Sequence, residues 1–231
     1  MPVLEVRALS LVWPSGERLW REVTFGLDAG EILLLLGRNG EGKSALLRAI
    51  AGLPSDAKIH GSILYRGAEL GDLGVSDRAA RVHYVDGYAW SAFGLTVREV
   101  LALGERLAPD GRRGGKYRFG VGPLLDRDFR TLSAGERQRV LLARGVATRA
   151  PVLLLDEALS AIDWVAQQEI GEELRAVAVE ERRAILWISH DWAFGRRFAS
   201  SVALLSGGKF HGPVMQKDPT IERWFSGGSA G

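Results

Sequence analysis

Leu4-Glu5-Val6-Arg7 alternates apolar and polar residues, and so does the stretch from Val23 to Leu27, with the turn-forming run Pro14-Ser15-Gly16-Glu17 between them. A period of two puts one face in a core and the other in water, so this region predicts an antiparallel β layer. The pattern then changes. Ile32-Leu33-Leu34-Leu35-Leu36 has no polar position, which suits a strand covered on both faces, and Ser44-Ala45-Leu46-Leu47-Arg48-Ala49-Ile50-Ala51 follows with helical spacing. Apolar runs return at Pro151 to Leu155 and Ala184 to Ile188. Strands alternating with helices predict a mostly parallel sheet with helices on both faces. Between about Leu95 and Arg130, Thr96-Val97-Arg98-Glu99 reads as a capping box for a helix through Leu103, which dissolves into Asp110-Gly111-Arg112-Arg113-Gly114-Gly115-Lys116. This predicts a small inserted helical region with a loop. The basic residues Arg112, Arg113, Lys116 and Arg118 read as solvated, with contact to a partner or to lipid headgroups as the other reading.

The chain has 231 residues, enough for one large α/β domain or a core with a small insertion. Its 46% hydrophobic and 25% charged content is ordinary for a globular protein, and a formal charge of +2 neither demands nor excludes an anionic partner. The absence of cysteine excludes disulfides, thiolate metal sites and a cysteine nucleophile. No apolar run approaches the ~20 residues that cross a bilayer, so a membrane role has to come through a partner. The start, Met1-Pro2-Val3-Leu4-Glu5-Val6-Arg7, lacks the pattern of a signal peptide, and a cytoplasmic protein is expected. The end, Ser226-Gly227-Gly228-Ser229-Ala230-Gly231, reads as a flexible tail.

The densest chemistry lies between the all-apolar strand and its helix. Gly37-Arg38-Asn39-Gly40-Glu41-Gly42-Lys43-Ser44 carries glycines, a lysine and a hydroxyl at the spacing of a phosphate-binding loop. The glycines let backbone N–H groups curl around phosphates, Lys43 reaches the β and γ oxygens, and the Ser44 hydroxyl holds Mg²⁺. A helix N-terminus behind the loop favours the anion. A second site follows from Pro151-Val152-Leu153-Leu154-Leu155-Asp156-Glu157, a dry strand that ends in two acids. Asp156 is placed to bind Mg²⁺ beside Ser44, directly or through water. Glu157 is placed to orient and deprotonate an attacking water, an effect of roughly 10²–10⁴-fold. The alternative for this acid pair is a helix cap that accepts N–H bonds.

A third element, Leu132-Ser133-Ala134-Gly135-Glu136-Arg137-Gln138-Arg139, opens the helical run Val140 to Ala147 just before the acidic strand. With it the chain resembles the ATP-binding subunit of an ATP-binding cassette (ABC) transporter, whose signature Leu-Ser-Gly-Gly-Gln stands here as Leu132-Ser133-Ala134-Gly135-Glu136. The resemblance runs from Leu4 to about Gly212. It implies an α/β fold: a P-loop NTPase core of ABC type with an N-terminal antiparallel β subdomain and a small inserted α-helical subdomain. Residues 1–225 would form one ABC ATPase domain, with the helical subdomain at about 88–148 inserted in a RecA-like core, and 226–231 a flexible tail. The implied cofactors are ATP and Mg²⁺. ATP would be held by Gly37, Arg38, Asn39, Gly40, Glu41, Gly42, Lys43, Ser44 and Ala45, with Trp13 stacked on adenine; a hairpin or core tryptophan is the other reading of Trp13. Ser44 and Asp156 would hold the metal, and Lys43, Glu157 and His190 would be catalytic. His190, after Ala184-Ile185-Leu186-Trp187-Ile188 and Ser189, resembles the switch histidine that contacts the γ-phosphate. Two cassettes close head to tail in this family, so Ser133, Ala134 and Gly135 would face the γ-phosphate on the opposite subunit. Ser160-Ala161-Ile162-Asp163 resembles the D-loop that couples the two sites. His60, His83 and His211 show no metal-ligand spacing.

Three departures from the family pattern matter most, beside the Glu136 that ends the signature in place of glutamine. Tyr84-Val85-Asp86-Gly87 puts a glycine where the Q-loop usually has glutamine, so coupling to a membrane partner has to differ unless Asp86 or a neighbour substitutes. Ala134 replaces the first signature glycine, and Ala158-Leu159 follows Glu157 where Pro-Thr is common. No phosphate, metal or base residue is lost, and an active ATPase is expected. The implied partners are integral membrane transporter subunits docking on about 87–118, a second cassette in a homodimer or heterodimer, and a substrate-binding protein in the full complex; no nucleic acid is expected. The expected location is the cytoplasmic face of the cell membrane. Gly94-Leu95-Thr96-Val97-Arg98-Glu99-Val100-Leu101-Ala102-Leu103-Gly104 resembles the corresponding stretch of ATPases of iron-chelate and vitamin B12 importers, which favours import over export. The alternative is a soluble cassette ATPase acting as an assembly factor, of the iron–sulfur scaffold type, or in nucleic-acid maintenance. A phosphate-loop kinase would need an acceptor lid instead of the signature helix.

Overall fold

The computed structural model describes residues 1–86, 94–108 and 117–226. The alternating N-terminal segments form a hairpin, β1 (Leu4–Val12) and β2 (Arg18–Leu27), and the strands extend closer to the turn than the sequence pattern reaches. After the hairpin come β3 (Ile32–Leu36), α1 (Lys43–Ala51), β4 (Lys58–Tyr65), β5 (Ala68–Glu69) and the short α2 (Val75–Ala79). β4 pairs antiparallel with β1, giving a four-stranded sheet in the order β2-β1-β4-β5. The rest of the chain supplies β6 (Val82–Asp86), α3 (Val97–Glu105), α4 (Ala134–Ala147), β7 (Val152–Asp156), α5 (Trp164–Glu180), β8 (Ala184–Ile188), α6 (Trp192–Gly195), β9 (Ser201–Ser206), β10 (Lys209–Met215) and α7 (Thr220–Ser226). The second sheet runs β10-β9-β3-β8-β7-β6 and is parallel apart from the antiparallel β9–β10 edge.

The all-apolar strands are all-apolar because this sheet is covered on both faces. Leu33 and Leu35 of β3, with Leu154 and Leu186, join Leu46, Leu47 and Ile50 of α1 and Leu4, Val6, Trp20 and Phe25 of the β layer. Their neighbours Ile32, Leu34 and Leu36, with Leu153, Leu155 and Trp187, join Val140 and Leu141 of α4 and Leu174 and Val177 of α5. Each fully buried leucine contributes about 1.5–3 kcal/mol, so a single polar substitution in β3 damages a core on one face and spares the other. Helix α3 begins at the predicted capping box: the Thr96 side chain accepts from the Glu99 N–H, and the Glu99 carboxylate accepts from the Thr96 N–H. It approaches α4 closely at Gly104, where an added Cβ would lie 2.3 Å from the Arg144 carbonyl oxygen.

Two expectations change here. Helix α7 runs through Ser226, so the helical pattern extends one residue into the stretch read as a tail. Arg118 is not a freely solvated base: its guanidinium pairs with Glu181 at 2.7 Å on the body of the protein. Gly87, Arg112, Arg113, Lys116 and residues 227–231 lie outside the described residues.

His83, on β6, makes an acid-sensitive point in this core. Its ring lies against Gly145 of α4, and its Nε2 is buried with no hydrogen-bond partner among the described residues. Burial, reinforced by the positive charges of Arg144 and Arg183, lowers its pKa from 6.5 to about 4. Between those values the unfolded chain binds the extra proton and the folded chain does not, so stability rises with pH across that window. It is lost as pH falls from about 6.5 to 4, by up to roughly 3 kcal/mol. Urea midpoints of wild type and His83→Leu are expected to diverge in their pH slopes below 6.5, with the wild type the steeper. Parallel slopes would remove His83 as the cause.

Candidate functional site

The phosphate loop takes its shape from two glycines. Gly37, at φ 148°, leaves β3 where a Cβ would lie 2.3 Å from the Leu205 carbonyl oxygen, and Gly42, at φ 88°, would bring a Cβ within 2.6 Å of Leu19. The loop is therefore clamped between β9 and the β2 hairpin strand. The Trp20 indole N–H also donates to the Gly42 carbonyl at 3.4 Å, a contact that nothing in the sequence pattern signals. Gly42 is the N-cap of α1 and provides no side-chain cap, so the first helical N–H groups face the loop without a carboxylate or hydroxyl partner of that kind. Arg38, Asn39 and Gly40 are exposed at the mouth, Glu41 is half-buried, and Ala45 sits in the first turn of α1. The Lys43 side chain lies inward, with only 5% of the residue exposed, and its ammonium donates to the carbonyls of Gly37 at 2.8 Å and Arg38 at 2.9 Å. Burial lowers the Lys43 pKa, against the opposing pull of Glu157, Asp156 and Glu41. The nine predicted loop residues run without a break from the end of β3 into the first turn of α1.

Parity along β7 delivers the acid. Val152 and Leu154 face the α1 side of the sheet, and Asp156 continues that series at the strand end. There the Ser44 hydroxyl donates to Asp156 Oδ1 at 3.0 Å, and the Tyr84 hydroxyl donates to Oδ2 at 2.7 Å. Asp156 is buried, which raises its pKa; the hydrogen bonds from Tyr84 and Ser44 work the other way, and Glu157 and Asp86 add to the rise. Tyr84 is held as a protonated donor, since burial and the bond to Asp156 push its pKa upward. Among the described residues no group of three or more His, Asp or Glu side chains is arranged to hold a metal. A hydroxyl beside a single carboxylate instead fits Mg²⁺, which takes few protein oxygens and fills its remaining positions with phosphate and water.

The second acid leaves the strand abruptly. Glu157 has φ 49°, a left-handed conformation uncommon for a residue with a side chain, and its N–H donates to the Ile188 carbonyl at 3.2 Å. Because β7 and β8 are parallel with Asp156 opposite Ile188, their ends bring Glu157 and His190 together. His190 Nε2 lies 2.6 Å from Glu157 Oε1. The pair borders a cavity of about 250 Å³ with Ser160, Asp191 and Phe194. A larger cavity of about 830 Å³, beside Pro151 and Arg183, sits at the opposite ends of the strands and contains none of these groups.

The remaining candidates serve first as local structure. Ser133 is the N-cap of α4, in a capping box with Glu136: its hydroxyl accepts from the Glu136 N–H at 3.2 Å, and its own N–H donates to the Glu136 carboxylate at 2.7 Å. Arg127 pairs with that carboxylate at 2.8 Å, which offsets the charge that the Gln-to-Glu departure puts beside Ala134 and Gly135. Asp163 is the N-cap of α5, accepting from the Ala166 N–H at 3.0 Å. Two glutamines that the motif reading passed over hold the segment before it. Gln138 of α4 donates to Ser160 Oγ at 3.2 Å and accepts from the Ala161 N–H at 2.9 Å, and Gln167 of α5 donates to the carbonyls of Leu159 and Ile162, each at 2.9 Å. A buried glutamine on an otherwise apolar helix face is the sequence signal for Gln138. Trp13 lies half-buried at the β1–β2 turn, packed on the core of the β layer.

Residues 20–160 match the family model described as ABC transporter. The chain is 34% identical, over 85% of its own length, to a cobalamin import ATP-binding protein of Halobacterium salinarum, and it spans about half, 51%, of that relative. It is 31% identical to a hemin import ATP-binding protein of Shewanella denitrificans over 89% of this chain and 87% of the relative. A solved ATP-binding subunit of an ABC transporter superposes with a TM-score of 0.81 at 25% identity, covering 99% of this chain and 95% of the other. With its family model matched over more than half of its length, the chain belongs to the ABC transporter family.

Proposed function

We propose that this chain binds and hydrolyses ATP and so powers the movement of a substrate through separate membrane subunits, in the direction of import and with a metal chelate or cofactor as cargo. The observation that carries the hydrolytic part is the convergence of Lys43, Ser44, Asp156 and the Glu157–His190 pair at the carboxyl ends of β3, β7 and β8. The loop N–H groups and Lys43 bind the β and γ phosphates, and Ser44 and Asp156 supply the metal site. Mg²⁺ held there would supply positive charge against the phosphate oxygens. Glu157 takes a proton from the attacking water, and His190, held by Glu157, faces the γ-phosphate. Trp13 stacks on adenine. Ser133, Ala134 and Gly135 act on the ATP of a second cassette, a reading supported by the exposure of Ser133 and Ala134 at the start of α4. Asp163 and its loop relay between the two sites.

The transport part is supported by the two relatives named as import ATP-binding proteins, and no described helix is long and apolar enough to cross a membrane. Membrane subunits dock on about 87–118 within a helical subdomain of about 88–148, on the cytoplasmic face, and a substrate-binding protein completes the assembly. The test is purification of the tagged chain from native membranes in mild detergent. A copurifying polytopic membrane protein, with ATPase activity abolished by Glu157→Gln, is the expected result. Only soluble partners would overturn the transport reading.

A further inference from the structure

The two oxygens of Asp156 have different partners. Oδ1 accepts from Ser44 at 3.0 Å and Oδ2 from Tyr84 at 2.7 Å, and these are the hydrogen bonds to this carboxylate among the described residues. We infer that Tyr84 is a positioning residue for the metal site: by tying down Oδ2, it holds the Asp156 carboxylate with its other oxygen beside Ser44, where the two residues would hold Mg²⁺. The inference rests on the nucleotide-binding reading given above.

The placement follows from strand register. β6 is the edge strand next to β7, with Tyr84 opposite Leu154 and Asp86 opposite Asp156. A side chain at Tyr84 therefore lies diagonal to Asp156 on the same face, the distance a phenol spans. The ring packs partly buried against the core that contains α1, so its hydroxyl has little freedom to turn elsewhere. Ser44 sits at the other oxygen and would itself hold the metal, so Tyr84 is the donor that fixes the carboxylate from the side away from Ser44. Asp86 and Glu157 both act on Asp156 as neighbouring negative charges, so the hydrogen bond from Tyr84 also works against their effect on the carboxylate. Three residues beyond Tyr84 the usual glutamine is Gly87, so the side-chain link from this strand to the metal site is made from within β6. Losing an outer-shell partner of this kind typically costs 10–100-fold in metal affinity.

Tyr84→Phe removes one oxygen and keeps the ring and its packing. In the full chain we expect nucleotide affinity measured in EDTA to equal that of wild type. The Mg²⁺ concentration for half-maximal hydrolysis should rise roughly 10–100-fold, with kcat recovered at saturating Mg²⁺, and Mn²⁺ binding to the nucleotide complex, read by electron paramagnetic resonance, should weaken to match. Adding Tyr84→Phe to an Asp156→Asn chain should produce no further weakening of Mn²⁺, because the two groups act as one. Unchanged Mg²⁺ and Mn²⁺ curves in a variant that binds nucleotide normally would overturn the role of Tyr84. Loss of nucleotide affinity in EDTA would assign the tyrosine to the fold, and failure of the wild type to bind nucleotide would overturn both readings.

Discussion

Replacing Glu157 by glutamine is expected to reduce ATP hydrolysis by at least ~10²-fold while leaving nucleotide binding intact and stabilising the closed pair of cassettes. The substitution preserves shape and removes only the base. The geometry makes Glu157 the group to test. Its left-handed backbone, at φ 49°, is a conformation that costs of order 1–3 kcal/mol when held by its surroundings. It turns the chain out of β7 so that the carboxylate meets His190 at 2.6 Å instead of continuing into the core. A glutamine there still offers an oxygen or an N–H to the imidazole, so His190 keeps a partner and the loop keeps its shape. The check is steady-state phosphate release together with nucleotide titration and sizing in ATP. A rate like that of wild type would remove Glu157 as the base, and a parallel loss of affinity would show that it binds.

Much of this site was legible in the sequence because the chemistry is written in short contiguous strings. The loop from Gly37 to Ser44, the acids after β7 and the Ser133 helix start each occupy a few neighbouring residues, and backbone hydrogen bonding fixes such strings locally. The fold was legible for a related reason: β3 and β8 are apolar at every position and β7 at every position before Asp156, as a sheet covered on both faces requires. What stayed hidden comes from register and from contacts between distant segments. Tyr84 reaches Asp156 because β6 and β7 pair in one particular alignment, and a one-residue slip would turn the phenol to the other face. Trp20 reaches Gly42 across the β layer, with no periodicity to announce it. The left-handed turn at Glu157 was equally invisible, since nothing in Asp-Glu-Ala-Leu demands a positive φ. The basic loop was misread at Arg118 because a charge run shows composition but not the acid, Glu181, that folds against it.

Lys43→Ala is expected to act on a different step, weakening Mg-ATP binding itself by at least ~10–100-fold, with hydrolysis lost as a consequence. A charge-assisted bond to phosphate contributes about 1.5–3 kcal/mol, more in a site closed to water. Lys43 is the buried cation of this site, and Asp156, Glu157 and Glu41 all favour its charge. Its removal leaves those acids facing the phosphates with less compensation, so the penalty on an incoming polyanion exceeds the loss of one bond. The fold should respond weakly by comparison. Burial already opposes the charged lysine, and truncation relieves that desolvation while freeing the Gly37 and Arg38 carbonyls that it had satisfied. Lys43→Arg should fail to restore binding, because a planar guanidinium does not fit between two loop carbonyls that accept a compact ammonium at 2.8 and 2.9 Å. Calorimetric titration with Mg-ATP and a thermal melt separate the two effects. Unchanged affinity in the alanine variant would count against the loop as the phosphate site, and a large fall in melting temperature would make Lys43 a structural residue first.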